Sequence, residues 1–360
     1  MKKTVAVMMK VLLPLAVIVL FSYISLTSIT SCSLEKKPPK ENVASPSLEK
    51  NVTKESGPSS RKDNSTQAKE HFQKGVEYSR SEKVDLAILE YRKALECDPN
   101  LSLAHVNIGM SYIQKKDFDT AVQELKNAIQ KEPRLKIAHF NLWWAYRQQG
   151  KHDEGIAELK KILAGDPNDG NAYQDLGDSY LSDKKMIPDA INTYIQGLAR
   201  SKESVSLHQK LGKAYELNQQ WNKAIEQFQQ AIDLDRTNLY SYLFLYVALK
   251  KAKENDKAKE IIQKGLSAYQ SEPRLAESSY KEIAHIFEYL LGKYPEKDLL
   301  STQNPIIACQ ANYYLGMDHL FQNKRKEAIQ HLQKAVNAQM NFISEYEYAR
   351  VELEQIHAKK

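Results

Sequence analysis

Residues 68–101 read AKEHFQKGVEYSRSEKVDLAILEYRKALECDPNL, and residues 102–135 read SLAHVNIGMSYIQKKDFDTAVQELKNAIQKEPRL. Set one beneath the other, Gly75 meets Gly109, Tyr78 meets Tyr112, Ala87 meets Ala121, Ala94 meets Ala128 and Pro99 meets Pro133, a step of 34 residues. The step runs on through Tyr146 and Tyr180 and through Pro167. A fixed period of this length with small, aromatic and proline residues at set offsets marks helical hairpins stacked unit on unit. In the first unit the pattern predicts one helix over Thr66 to Ser81 and a second over Lys83 to Cys97. Gly75 falls inside the first helix, where glycine is disfavoured by about 1 kcal/mol. Its return at the same offset predicts a close approach of the second helix at Ala87, with Tyr78 filling the space beside it. Pro99 lacks an N–H and cannot continue a helix, so Asp98-Pro99-Asn100 closes one unit and opens the next.

With these residues in place the chain resembles a tetratricopeptide-repeat protein. Unit three (Lys136–Asp169) carries Tyr146, Leu159 and Pro167. Unit four carries Gly177, Tyr180, Ala190 and Tyr194, with one residue inserted near Met186-Ile187-Pro188. Unit five (Val205–Asn238) carries Gly212, Tyr215, Ala224 and Phe228. Unit six keeps Ala258, Ile262 and Gly265, and a last unit keeps Gly316, Ala328, Leu332 and Ala335. The resemblance implies an all-α solenoid, a right-handed superhelix of about seven helix-turn-helix units closed by a capping helix. It also implies a protein-interaction role, without catalysis or cofactor.

Two departures refine the expectation. Unit three has Trp143 where other units have Gly, and Gly155 where they have Ala. The swap conserves volume, which cores tolerate best, and predicts that Trp143 touches Gly155. Residues 67–272 hold units one to six, and 273–308 break the period. There Ala276 to Gly292 reads as helix, Tyr294-Pro295 interrupts it, and Asn304-Pro305 reads as an N-cap followed by a first-turn proline. This stretch is an irregular helical connector or a divergent unit. The last unit occupies 309–342. Residues 343–360 hold a capping helix with Tyr346, Ala349, Val351, Leu353 and Ile356 near one face.

The first 31 residues read as an address rather than as fold. Lys2, Lys3 and Lys10 precede an apolar run from Val11 to Leu26, and Ile29-Thr30-Ser31-Cys32 resembles a bacterial lipoprotein lipobox. That resemblance implies cleavage before Cys32 and acylation of Cys32; an ordinary secretory cut or an uncleaved anchor are the alternatives. Ser33 after the cysteine implies, by enterobacterial sorting, an outer-membrane address facing the periplasm. Residues 32–66 hold Pro38, Pro39, Pro46 and Pro58 and no aromatic residue, which predicts a disordered tether reaching about 30 Å.

Loss of residues 1–31 takes Lys+Arg from 51 to 48 against 45 acids, a net charge of about +3. Such a mixed surface is no nucleic-acid footprint. The chain has no phosphate loop, no His-Glu-x-x-His, no Gly-x-Ser-x-Gly and no Cys-x-x-Cys. Of three cysteines, Cys97 is expected as a buried structural thiol, and a bridge to Cys309 is not expected across six units. His71, His105, His139 and His208 share the fourth place of their units. A metal ladder would need ring nitrogens about 3–3.5 Å apart, and successive helices are too distant for that. Packing between units is the expectation, and no metal is expected.

In the family resembled, ligands lie along an inner wall made by the first helix of each unit. Helical periodicity places Phe72, Val76, Leu103, Val106, Met110, Ile113, Ile137, Phe140 and Trp144 on that wall, followed by polar Asn171, Gln174, Asp178, Gln209, Lys213 and Glu216. The apolar stretch is the expected partner groove. A second candidate surrounds Tyr313, Met317, Leu320 and Phe321. The basic clamp that some relatives use on a carboxylate terminus is missing, since Phe72, Val76 and Ile137 stand in its places. The expected function is a lipid-anchored scaffold or adaptor that holds a protein or peptide partner in cell-envelope assembly of pilus, secretion or outer-membrane biogenesis type. The alternative is a regulatory or targeting subunit of an envelope enzyme complex. No nucleic acid and no small-molecule substrate is expected.

Overall fold

The computed structural model describes residues 63–182, 186–276, 280–340 and 344–358; the leader, Cys32 and nearly all of the tether lie outside them. Every regular element among the described residues is a helix. The helices fall into two compact bodies that part between Ser201 and Lys202. The first body holds four hairpins: α1 (Asn64–Arg80) with α2 (Val84–Cys97), α3 (Ser102–Gln114) with α4 (Phe118–Lys131), α5 (Lys136–Gln148) with α6 (His152–Gly165), and α7 (Gly170–Ser182) with α8 (Ile187–Arg200). Within it, the second helix of each pair packs on the first helix of the next. The second body holds α9 (Val205–Leu217), α10 (Trp221–Leu234), α11 (Leu239–Lys251) and α12 (Asn255–Ser271). It continues with short α13 (Pro273–Ala276), α14 (Tyr280–Leu290), short α15 (Glu296–Leu299), α16 (Pro305–Phe321), α17 (Arg325–Asn337) and α18 (Ser344–Ala358).

The glycine places have a different partner from the one expected. A Cβ on Gly75 would sit 2.5 Å from the Tyr91 ring, not against Ala87. The same geometry sets Gly109 against Leu125, Gly177 against Tyr194, Gly212 against Phe228 and Gly316 against Leu332. Glycine is kept because a large side chain of the second helix lies across the first helix at that point. Ala87 and Ala94, like Ala121 and Ala128, are wholly buried and let the helices close up around that ring or leucine. In unit three the order inverts as expected: a Cβ on Gly155 would lie 3.1 Å from Trp143. The connector follows the same logic, with Phe287 of α14 lying over Gly265 of α12.

Six hairpin turns among the described residues carry a residue in the left-handed region: Glu82, Lys116, Gly150, Gln219, Lys253 and Asn323. Behind it the chain closes a Schellman motif, as in Lys83 N–H to Tyr78 O at 2.9 Å and Gln220 N–H to Tyr215 O at 2.8 Å. Only Gly150 suits that backbone without steric penalty. Gln219 is exposed with φ 57°, so Gln219→Gly is expected to raise the unfolding free energy by about 0.5–1 kcal/mol. Urea unfolding checks this, and a loss of stability would contradict it. Between units, Asp98, Asp166 and Asp235 accept the backbone N–H two residues on, at 3.0, 3.0 and 2.9 Å. These Asx turns set up the next helix start. Asn304 caps α16 at 3.0 Å from Ile306 N–H, with Pro305 in the first turn as expected.

The fourth-place histidines find their side-chain partners within their own units, which narrows the sequence expectation of packing between units. His71, His105 and His139 reach Glu90, Glu124 and Glu158 on their own second helices at 2.7, 2.7 and 2.6 Å, and His208 reaches Gln227 at 2.9 Å. They lock the two helices of a hairpin together. His139 has acceptors on both ring nitrogens, the second being Pro133 O at 2.9 Å, so both must donate and the charged form is favoured. The Glu158 hydrogen bond accordingly raises the His139 pKa. Burial pushes the Glu158 carboxyl up, but His139 and Lys161 outweigh it and hold the pKa low. The stabilisation from Glu158 is present above its unfolded value and fades as pH falls through the lowered one. That from His139 is present below its unfolded value and fades as pH rises through the raised one. His139→Gln is therefore expected to be most destabilising, by about 1–2 kcal/mol, between pH of roughly 4.5 and 6.5. The deficit should shrink in alkali; urea midpoints at acidic and alkaline pH that shift equally would contradict the assignment.

Cys97 is half-buried rather than buried, with Sγ 3.9 Å from Gln67 Oε1. Cys309 is fully buried and burial pushes its thiol up to about 12. Both are free thiols.

Candidate functional site

Each body carries its own inner wall. In the first body the nine apolar groove residues divide by depth. Phe72 and Val76 (α1), Val106 and Ile113 (α3) and Trp144 (α5) are buried. Phe72 lies against Tyr91, ring centroids 5.6 Å apart, in a core shared with Ile88 and Ile108. Trp144 is covered by an edge-on Trp143 at 5.9 Å and by the Arg147 guanidinium at 5.6 Å. Leu103, Met110, Ile137 and Phe140 remain half exposed and form the apolar surface of this wall. Beyond them come exposed Asn171 and half-buried Gln174 and Asp178, the last accepting from Tyr194 Oη at 2.6 Å.

The second body's wall is occupied by the chain itself. Gln209, Lys213 and Glu216, expected on an open polar stretch, are buried: Gln209 donates to Asn238 and Ser241 at the start of α11, and α18 lies over Lys213 and the Glu216–Lys251 pair. Tyr348 of α18 stacks edge-on to Phe244 at 5.9 Å and lies 6.0 Å from Tyr313, and the Lys213 ammonium sits 3.5 Å above its ring. Glu345 of α18 accepts from Gln310 and Tyr314, each at 3.4 Å. Glu352 of α18 pairs with Lys251, which also holds Glu216 at 3.0 Å. Lys213 holds the other oxygen of Glu216 at 2.9 Å. Burial pulls the Lys251 ammonium down, but Glu216 and Glu352 outweigh it and raise its pKa. Burial lowers the Lys213 pKa and raises that of Glu345. So α18 is more than an end cap: Ala349, Leu353 and Ile356 are buried as expected, while Glu345 and Glu352 are buried too and Tyr346 and Val351 only half so.

The second sequence candidate divides by depth in the same way. Tyr313 and Met317 are buried in α16, leaving Leu320 and Phe321 half-buried beside them. Sequence reasoning missed the α18 contacts, although Glu345, Tyr348 and Glu352 share one stripe of a helix at three- and four-residue spacing.

Helical hairpins repeated at one step define a helical-repeat protein. Models described as tetratricopeptide repeat match residues 61–101, 90–123, 112–177 and 205–238. Over residues 61–177 and 205–238 the chain therefore carries tetratricopeptide repeats. No curated protein matches it in sequence. Among solved structures, a tetratricopeptide repeat protein from Parabacteroides merdae ATCC 43184 is 13% identical with TM-score 0.54, over 81% of this chain and 99% of that one. The C-terminal part of a TPR repeat-containing protein from Cytophaga hutchinsonii is 15% identical with TM-score 0.51, over 77% and 98%. Pseudomonas aeruginosa pilF is 18% identical with TM-score 0.46, over 60% and 98%. At such identities the likeness is one of fold alone. Among the described residues no helix is long and apolar enough to cross a membrane.

Proposed function

We propose that this chain is a non-catalytic scaffold whose first body grips a helical or extended segment of a partner protein along Leu103, Met110, Ile137 and Phe140. The observation that carries this reading is the occupied wall of the second body. There a helix is held by an aromatic anchor, Tyr348, and by ion pairs at Lys251. An inner wall of this chain thus has the chemistry to bind a helix, and the first body offers half-exposed apolar residues on the corresponding helices.

The cell-envelope reading rests on the sequence Ile29-Thr30-Ser31-Cys32 behind an apolar run. In this reading Cys32 is acylated, residues up to the first hairpin serve as a leash, and the repeats work beside an outer membrane on its periplasmic side. The task is assembly of an envelope structure. Two experiments test the parts separately. Cys32→Ser should abolish palmitate labelling and move the chain from the membrane fraction to the soluble one; unchanged labelling would refute the anchor. Ile137→Lys and Met110→Lys, each checked for an unaltered thermal midpoint, should abolish co-purification of the partner retained by the wild type. Trp144 is unsuitable for that test because it is core.

A further inference from the structure

We propose that Glu296, His319 and His331 form a binding site for a zinc-class divalent cation. The last hairpin departs from the chain's own repeat at three places that meet here, one of them Asn312, which stands where other units have His71, His105, His139 and His208. His319 stands where earlier units have Tyr78, Tyr112, Tyr146, Tyr180 and Tyr215. His331 stands where units one, two, three and five have Glu90, Glu124, Glu158 and Gln227, and unit four Thr193. Either histidine alone would be unremarkable variation; together they bring two imidazoles face to face, ring centroids 5.3 Å apart at 25°. The irregular connector then adds a carboxylate to the same spot. Glu296, first residue of α15, places Oε1 3.2 Å from His331 Nε2 and Oε2 3.4 Å from His319 Nε2.

The spacing suits an ion. Donors at about 2.0–2.1 Å from a tetrahedral centre lie about 3.3 Å from one another. One donor atom from each residue lies within 4.8 Å of the others, so small rotations of the side chains close the set. His331 is oriented from behind, its Nδ1–H donating to Asn312 Oδ1 at 3.0 Å, which leaves the Nε2 lone pair facing Glu296. His319 is buried, and its Nδ1 has no hydrogen-bond partner, so Glu296 is the group that holds its ring. Both imidazoles are buried while the Glu296 side chain is 40% exposed, giving an entry path and room for a water as fourth ligand. Two imidazoles and one carboxylate are a donor set for zinc rather than for calcium or magnesium, which prefer oxygen alone. The three donors are far from any sequence motif because they come from α15, α16 and α17. Binding would tie the connector to the last hairpin.

The test uses the full chain, stripped with chelator, and zinc chloride followed by calorimetry, with cobalt(II) absorption reporting geometry. One equivalent should bind, and cobalt should give the intense visible bands of a four-coordinate ion. His319→Tyr and His331→Gln restore residues that other units carry at these places, so the hairpin should still fold, as the thermal midpoint without metal will show. Each is expected to weaken zinc binding at least tenfold, as is Glu296→Gln, and to remove the midpoint increase that zinc gives the wild type. Absence of zinc binding by the wild type would overturn the proposal. So would zinc binding of equal strength and stoichiometry in the variants, which would put the ion on other histidines or cysteines.

Discussion

Phe228→Ala is expected to lower the stability of the second body by about 3–5 kcal/mol, the range for deleting a fully buried aromatic ring. The ring has no solvent exposure, lies across Gly212 and packs 5.7 Å from Phe244. Its removal opens a void that the neighbours cannot refill, because Gly212 has no side chain to move in and the two helices are held apart by their other contacts. Phe228→Leu should be far milder, below about 1.5 kcal/mol, since Leu125 and Leu332 fill the equivalent place elsewhere. Urea unfolding of the full chain measures both, with midpoint and slope followed together, because repeat arrays can lose units separately. A deficit under about 1 kcal/mol for the alanine variant would show that the glycine–aromatic contact is not central to the hairpin.

Lys251→Met is expected to be comparably severe, at about 3–5 kcal/mol, because one residue of a buried ion cluster is removed while its partners stay. Glu216 would keep only Lys213, and Glu352 would lose its ammonium. The consequence should be local and visible: α18 should leave the wall. Amide exchange over residues 344–358 should rise sharply, and trypsin should cut at Arg350, which now makes ion pairs with Glu347 and Glu354. Adding Glu352→Leu to Lys251→Met should recover part of the loss, because a buried charge without a partner is the main penalty. If α18 stays protected in the single variant, the Lys251 ion pairs are not what holds it, and Tyr348, Glu345 and the buried Ala349, Leu353 and Ile356 suffice.

The elements legible in the sequence were those whose cause lies within one or two turns of repeat. The Trp143–Gly155 swap could be read because volume is conserved locally, and the Asn304-Pro305 helix start because its chemistry is written in two adjacent residues. The partner of Gly75 was misread as Ala87 because a small residue suggests a small neighbour, whereas the space was needed for Tyr91. The histidine–glutamate locks share the 34-residue step on both sides, so a pairing at fixed offset was available but was read as packing between units. The left-handed turn residues could not be seen, since Glu82, Lys116 and Gln219 carry no side-chain signature of that backbone. Docking of α18 pairs residues 101 apart, Lys251 with Glu352, and no local pattern announces such a contact. Five of the nine groove residues turned out to be core for the related reason that periodicity places a side chain on a face but does not say how deep its neighbours leave it.

The central claim is that one wall of this protein is filled by its own C-terminal helix while another is left for a partner. Photo-crosslinking in cells, with benzophenone side chains placed singly at positions 110, 140 and 348 of the full chain, tests it most directly. Positions 110 and 140 should yield an intermolecular adduct of one and the same mass, and position 348 should yield none. Adducts from 348 but not from 110 or 140 would contradict the account, as would silence at all three while the exposed outer position 89 reacts.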